Sequence, residues 1–149
     1  MRARYAHTNL IAHDWRRLAR FYADVFGCRP VGPQRDMSGD WLATATGVDE
    51  PRLEGRHLLL PGHGDRGPTL EIYSYAEVAA QDEPVANRAG YGHLAFEVDD
   101  VEAALELVLA HGGRSLGQVA RTEVPGAGRL AVVYARDPEG NILELQSWA

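Results

Sequence analysis

Two histidines and two glutamates, His7, His93, Glu71 and Glu144, carry the chemistry this sequence suggests. By type they are metal ligands, and the carboxylates can also move protons. Their spacing links them. His7 precedes Asp14 by seven residues and Gly27 by twenty, and His93 precedes Asp100 by seven and Gly113 by twenty. Glu71 lies in Leu70-Glu71-Ile72 and Glu144 in Leu143-Glu144-Leu145, each followed three residues later by a serine, Ser74 and Ser147. The chain reads as one module written twice. Each copy opens with a histidine on a strand and closes with a glutamate on a strand.

Taken singly, a strand histidine is usually a surface or hydrogen-bonded core group. A glutamate among apolar strand residues usually marks a solvated face. The joint pattern is stronger, because period-two alternation puts all four on the polar faces of their modules. Leu70, Ile72, Leu143 and Leu145 point the other way. If those polar faces close on each other, two buried carboxylates need a partner, since an unpaired one costs several kcal/mol. A divalent cation supplies it. Two imidazoles and two carboxylates balance its charge and leave two positions of an octahedron open. Such mixed ligation suits Zn, Ni, Co, Mn or Fe without choosing among them.

The elements that must position these residues follow from the pattern. A strand over residues 5–12 runs into Asp14, an N-cap for a helix with Trp15, Leu18, Tyr22 and Phe26 on one face; Gly27 ends it. Pro30 and Pro33 weaken a second strand over 29–34. Residues 35–55 have little period and read as mostly loop with room for one helical turn, an insertion over one face. A strand restarts at His57, residues 61–68 form a turn, and residues 69–75 close the first module. In the second module, Asp99 or Asp100 caps a helix that ends at Gly112-Gly113. Strands then follow near 115–123, 130–135 and 142–147. Module one is expected over about residues 4–76, a linker over about 77–89, and module two over about 90–149.

Composition bounds the function. One domain's worth of chain, 149 residues, is 45% hydrophobic and 24% charged, with a net charge of −6. That balance argues against a nucleic-acid surface and against anionic membranes. One cysteine, Cys28, allows no intrachain disulfide and fits a reducing cytoplasm; it reads as a small packed side chain. No signal-like or membrane-spanning run is present in the sequence. His13, His57, His63 and His111 have no place in the repeat and read as structural or solvated. Asn9, Trp41, Tyr73, Tyr91 and Gln146 are candidates for a pocket wall.

The same residues resemble the vicinal oxygen chelate superfamily of glyoxalase I, methylmalonyl-CoA epimerase, bleomycin resistance proteins and extradiol dioxygenases. The resemblance rests on His7 with Asp14 and Phe21-Tyr22, on Gly92-His93-Leu94-Ala95-Phe96 running into Val98-Asp99-Asp100-Val101, and on the run from Asp137 to Leu145. It implies an α+β fold of two βαβββ modules, forming an eight-stranded half-open barrel with helices outside. It implies metal ligation by His7, Glu71, His93 and Glu144, with Glu144 or Glu71 as the proton-moving group. The function it implies is a metal-dependent isomerase, epimerase or lyase acting on a small carbonyl or thioester substrate through an enediolate. A ring-cleaving dioxygenase and a non-catalytic, resistance-type binding protein are the alternatives. A homodimer is expected, and the linker is long enough to pair modules within or between chains.

Overall fold

The computed structural model describes residues 1–80 and 82–149. The linker expected over residues 77–89 includes Gln81, which lies outside the described residues. The fold is α+β, with two βαβββ modules forming two mixed sheets. The chain divides into two compact units, residues 1–80 and 81–149.

In the first unit β1 (His7–Ile11) leads into α1 (Trp15–Phe26). Asp14 caps the helix by accepting the Arg17 N–H at 3.0 Å. Gly27 closes it at φ 69°, a left-handed turn that a β-carbon would strain, with its N–H on the Ala23 carbonyl at 3.0 Å. β2 (Arg29–Ser38), β3 (Arg52–Leu59) and β4 (Thr69–Tyr75) complete a sheet in the order β1-β4-β3-β2. β1 and β4 are parallel, and the other pairs are antiparallel. Alternation is as the sequence suggests. Leu70, Ile72 and Leu58 are fully buried with Leu18 and Tyr22 of α1, while Thr69 and Glu71 are only partly covered on the other face. The Trp15 N–H donates to Ser74 Oγ at 3.0 Å, so the serine that follows the glutamate ties strand to helix.

The expectation that residues 35–55 are mostly loop is corrected. β2 continues to Ser38, α2 (Asp40–Thr46) follows, and β3 begins at Arg52. Leu42 of α2 packs with Leu53 and Tyr73, and Met37 and Tyr75 lean on the same cluster. Short range hides this because the segment's apolar residues are few and far apart; each is matched only by a residue on another strand.

In the second unit β5 (Leu94–Glu97) leads to α3 (Val101–Ala110), whose cap Asp100 accepts the Ala103 N–H at 2.9 Å. β8 (Gly128–Arg136) and β9 (Ile142–Trp148) form the centre of this sheet. The single strand expected near 115–123 is two: β6 (Arg114–Ser115) and β7 (Ala120–Val124), pairing with different stretches of β8. The described residues thus hold nine strands where eight were expected. The turn into β9 is built on Asp137, fully buried, which accepts the N–H groups of Glu139 and Asn141 at 2.9 and 3.0 Å and Asn141 Nδ2 at 2.8 Å.

Cys28 follows the helix-ending glycine and is buried, and desolvation pushes its thiol from 9.0 up to about 12. A thiol reagent at mildly alkaline pH is expected to leave the folded chain unlabelled and to react at once in concentrated urea; equal rates would remove Cys28 from the core. The sign of the linkage follows. The unfolded thiol ionises near 9 and the folded one near 12, so its contribution to stability is intact below 9 and lost as pH rises through that window. Leu70→Ala is expected to cost about 2–5 kcal/mol in urea denaturation, against about 1 kcal/mol for Asp100→Ala at the cap. Comparable losses would mean that the helix–sheet layer is not the core of the first unit.

Candidate metal centre

β4 brings Glu71 between two strands. Asn9 of parallel β1 is its register partner on one side and His57 of antiparallel β3 on the other. Paired residues project from the same face of a sheet, so the three side chains meet. His7, two residues before Asn9, joins them. His7 Nε2 lies 3.4 Å from Glu71 Oε2, and His57 Nε2 lies 3.1 Å from Glu71 Oε1. Asn9 Nδ2 donates to Glu71 Oε2 at 2.9 Å, and Tyr73 hydrogen-bonds the same carboxylate. Glu71 is mostly covered, with 16% of its side chain exposed, against 41% for His7 and 22% for His57.

His57, expected to be structural or solvated, stands half-buried in this cluster. One donor atom each from His7, His57 and Glu71 lies within 4.8 Å of the others, a group that could hold a metal ion. Sequence reasoning missed it because His57 has no counterpart in the repeat. Counting outward from a turn at residues 61–68 would set His57 across from Ile72; the Leu60 N–H bond to the Pro68 carbonyl at 3.1 Å shortens the turn by one residue and sets His57 across from Glu71. In the second unit the place of His57 belongs to Tyr134, the register partner of Glu144, and that of Asn9 to Ala95. His93 Nε2 lies 3.3 Å from Glu144 Oε2, and the His93 ring is 5.0 Å from that of Tyr134. His93 itself stands one residue before β5.

The structure therefore brings His7 to Glu71 within the first unit and His93 to Glu144 within the second. Of the wall candidates, Asn9 and Tyr73 stand in the first cluster. Gln146 is two residues beyond Glu144 on its face and accepts from Trp148 Nε1 at 3.2 Å. Trp41 is exposed on α2 and Tyr91 is fully exposed, and neither joins a cluster. His63 lies in the turn, and His111 caps α3 with Nδ1 at 2.8 Å from the Leu107 carbonyl. Two clefts open away from these groups. One of about 590 Å³ runs from the start of α3 to Arg121 and Arg129, and one of about 470 Å³ lies beside Trp15, Arg52 and Ser74.

The electrostatics suit a cation. Burial lowers the pKa of His57, as do His7 and Arg35, against the opposing pull of Glu71, so the ring is neutral near neutral pH. Its Nδ1 is 2.9 Å from Thr69 Oγ1. If Nδ1–H donates to that hydroxyl, Nε2 presents a lone pair toward the carboxylate, the form a metal requires. Donor atoms about 2.0–2.2 Å from one ion lie about 3–3.5 Å apart. The two separations from Glu71 fall in that range, each to a different carboxylate oxygen, and imidazole with carboxylate is a donor set for first-row divalent metals. Burial and then Glu71 push the Tyr73 hydroxyl up to about 12. Burial and a hydrogen bond to Glu144 raise that of Tyr134. Both remain protonated donors to their carboxylates.

Known proteins resemble this chain in sequence and in fold. The chain is 27% identical over 139 residues to a lactoylglutathione lyase of Haemophilus influenzae, spanning 93% of this chain and 87% of that one. A glyoxalase family protein from Bacillus cereus superposes with a TM-score of 0.82 at 20% identity, covering 99% of this chain and 95% of the other. A fosfomycin resistance protein from Listeria monocytogenes, complexed with Mn(II) and sulfate, superposes at 0.56 with 16% identity over 100% and 95% of the two chains. No helix among the described residues is long and apolar enough to cross a membrane. The model of one family matches residues 4–145, a span that takes in both histidine-to-glutamate stretches, and the chain therefore belongs to the Glyoxalase/Bleomycin resistance protein/Dioxygenase superfamily.

Proposed function

We propose that this chain is a metal-dependent, glyoxalase-like enzyme that isomerises, epimerises or lyses a small carbonyl or thioester substrate. The observation that carries the reading is the trio His7, His57 and Glu71, with donor atoms within 4.8 Å on one sheet face. Similarity to a lactoylglutathione lyase supports the reaction class. His7, Glu71, His93 and Glu144 remain the ligand set proposed from the sequence, and His57 is added as a further donor in the first unit.

A divalent ion at these residues would act as a Lewis acid toward a carbonyl oxygen. The chain's own groups do the rest. Thr69 holds the His57 ring, and Asn9 and Tyr73 hold the Glu71 carboxylate. Tyr134 donates to Glu144. Glu144 or Glu71 would carry a proton between neighbouring carbons, the step common to the three reaction types. A second reading has its own support. Two histidines and one carboxylate are also the donor set of non-haem Fe(II) oxygenases, which favours ring cleavage of a catechol as the alternative.

Elemental analysis of the purified protein tests the metal, and oxygen uptake with catechol on the Fe(II)-loaded protein separates the two readings. In metal titrations, His57→Ala is expected to weaken affinity about tenfold or more. Glu71→Gln is expected to weaken it less than His93→Ala, because an amide oxygen still coordinates and a methyl group does not. Unaltered affinity in His57→Ala would return that residue to a structural role. Wild-type protein that takes up no divalent metal would end the proposal.

A further inference from the structure

The edge strand β2 carries a bulge that decides what stands beside the trio. Val31 is opposite His57 and Arg35 opposite Gly55, so four steps along β2 match two along β3. Gly32, at φ +65°, makes the detour possible. Without the two extra residues Pro33 would take the place of Arg35. Register partners share a face, and Met37, two residues on, packs with the cluster of Leu53, Leu42 and Tyr73. Arg35 is thus on the face of His57 and Glu71. Gly55 puts no side chain of its own between them. A β-carbon there would fall 2.1 Å from Tyr73 Cδ1, so the Tyr73 ring lies across β3 at that point. Strand spacing and rise put the Arg35 and His57 α-carbons roughly 8 Å apart.

The other arginines of β2 and β3 have acceptors. Arg29 reaches Asp65 at 2.7 Å, Arg52 reaches Asp36 at 3.5 Å, and Arg56 donates to the Gly32 carbonyl at 3.3 Å. Arg35 is exposed and makes no hydrogen bond or ion pair among the described residues, although the chain has 21 acidic residues against 15 basic ones. Most exposed arginines are simply solvated. This one faces a donor cluster across an aromatic ring, with apolar Met37 and Leu42 beyond.

We propose that Arg35 receives a carboxylate arm of the substrate, and that the substrate class is a small carbonyl compound or thioester bearing such an anionic arm. A planar guanidinium matches a carboxylate bidentately, and a partner from the substrate satisfies a charge that has no acceptor among the described residues. The inference rests on the metal reading above, because the trio fixes the other end of the substrate.

Hydroxamates supply a probe, since their two vicinal oxygens chelate a metal whether or not a tail is attached. Binding of acetohydroxamate, succinic monohydroxamate and glutaric monohydroxamate to the Zn(II)-loaded protein would be measured by calorimetry, for wild type, Arg35→Met and Arg35→Lys. One of the carboxylated probes is expected to bind wild type about tenfold more tightly than acetohydroxamate. That advantage should vanish in Arg35→Met, return in part in Arg35→Lys, and shrink with added salt. An advantage of the same size in Arg35→Met, or none in wild type while acetohydroxamate binds, overturns the role of Arg35 alone. Failure of acetohydroxamate itself to bind counts first against the metal reading, and the Arg35 proposal falls with it.

Discussion

A carboxylate set in the middle of a sheet governs the first unit. Glu71 has strands on both sides, and most of its surface is covered. An ionised group there must be surrounded by donors or by a cation. Asn9 and Tyr73 meet that need with neutral hydrogen bonds, and the imidazoles of His7 and His57 stand by each oxygen. The arrangement depends on two different pairings. The parallel ladder with β1 sets Asn9, and with it His7. The antiparallel ladder with β3 sets His57. A slip of one residue in either strand would turn its donor to the helix side, where Leu58, Leu70 and Ile72 are fully buried.

The second unit meets the same problem with fewer nitrogen donors. Ala95 replaces Asn9 and Tyr134 replaces His57 around Glu144. The two halves keep the histidine–glutamate pair and differ in the residues beside it. The first half adds a nitrogen donor to its pair and the second adds a hydroxyl.

The inserted segment belongs to the same account. β2 and α2 bring Met37 and Leu42 to Leu53 of β3 and to Tyr73 and Tyr75 of β4, so one end of the polar face is walled by apolar side chains. A wall of that kind lowers the local dielectric and strengthens every charge near it. Burial lowers the pKa of His57 and raises that of Tyr73.

The repeat, both helix caps and the strand faces of Glu71 and Glu144 were legible in the sequence, because each depends on residues close along the chain. Asp14 and Asp100 cap within three residues, and alternation in Leu70-Glu71-Ile72 assigns faces without reference to any other strand. His57 and Arg35 were not legible in this way. A side chain's cross-strand neighbour is fixed by register, and register depends on turn length and bulges summed over many residues. The two extra residues after Val31 move Arg35, rather than Pro33, next to Gly55. Leu42 found its partners only when β3 and β4 paired. Local sequence determined which residues could serve a metal and which way they pointed; tertiary pairing decided which of them met, because contacts between strands are set by backbone hydrogen bonds to residues far away in the chain.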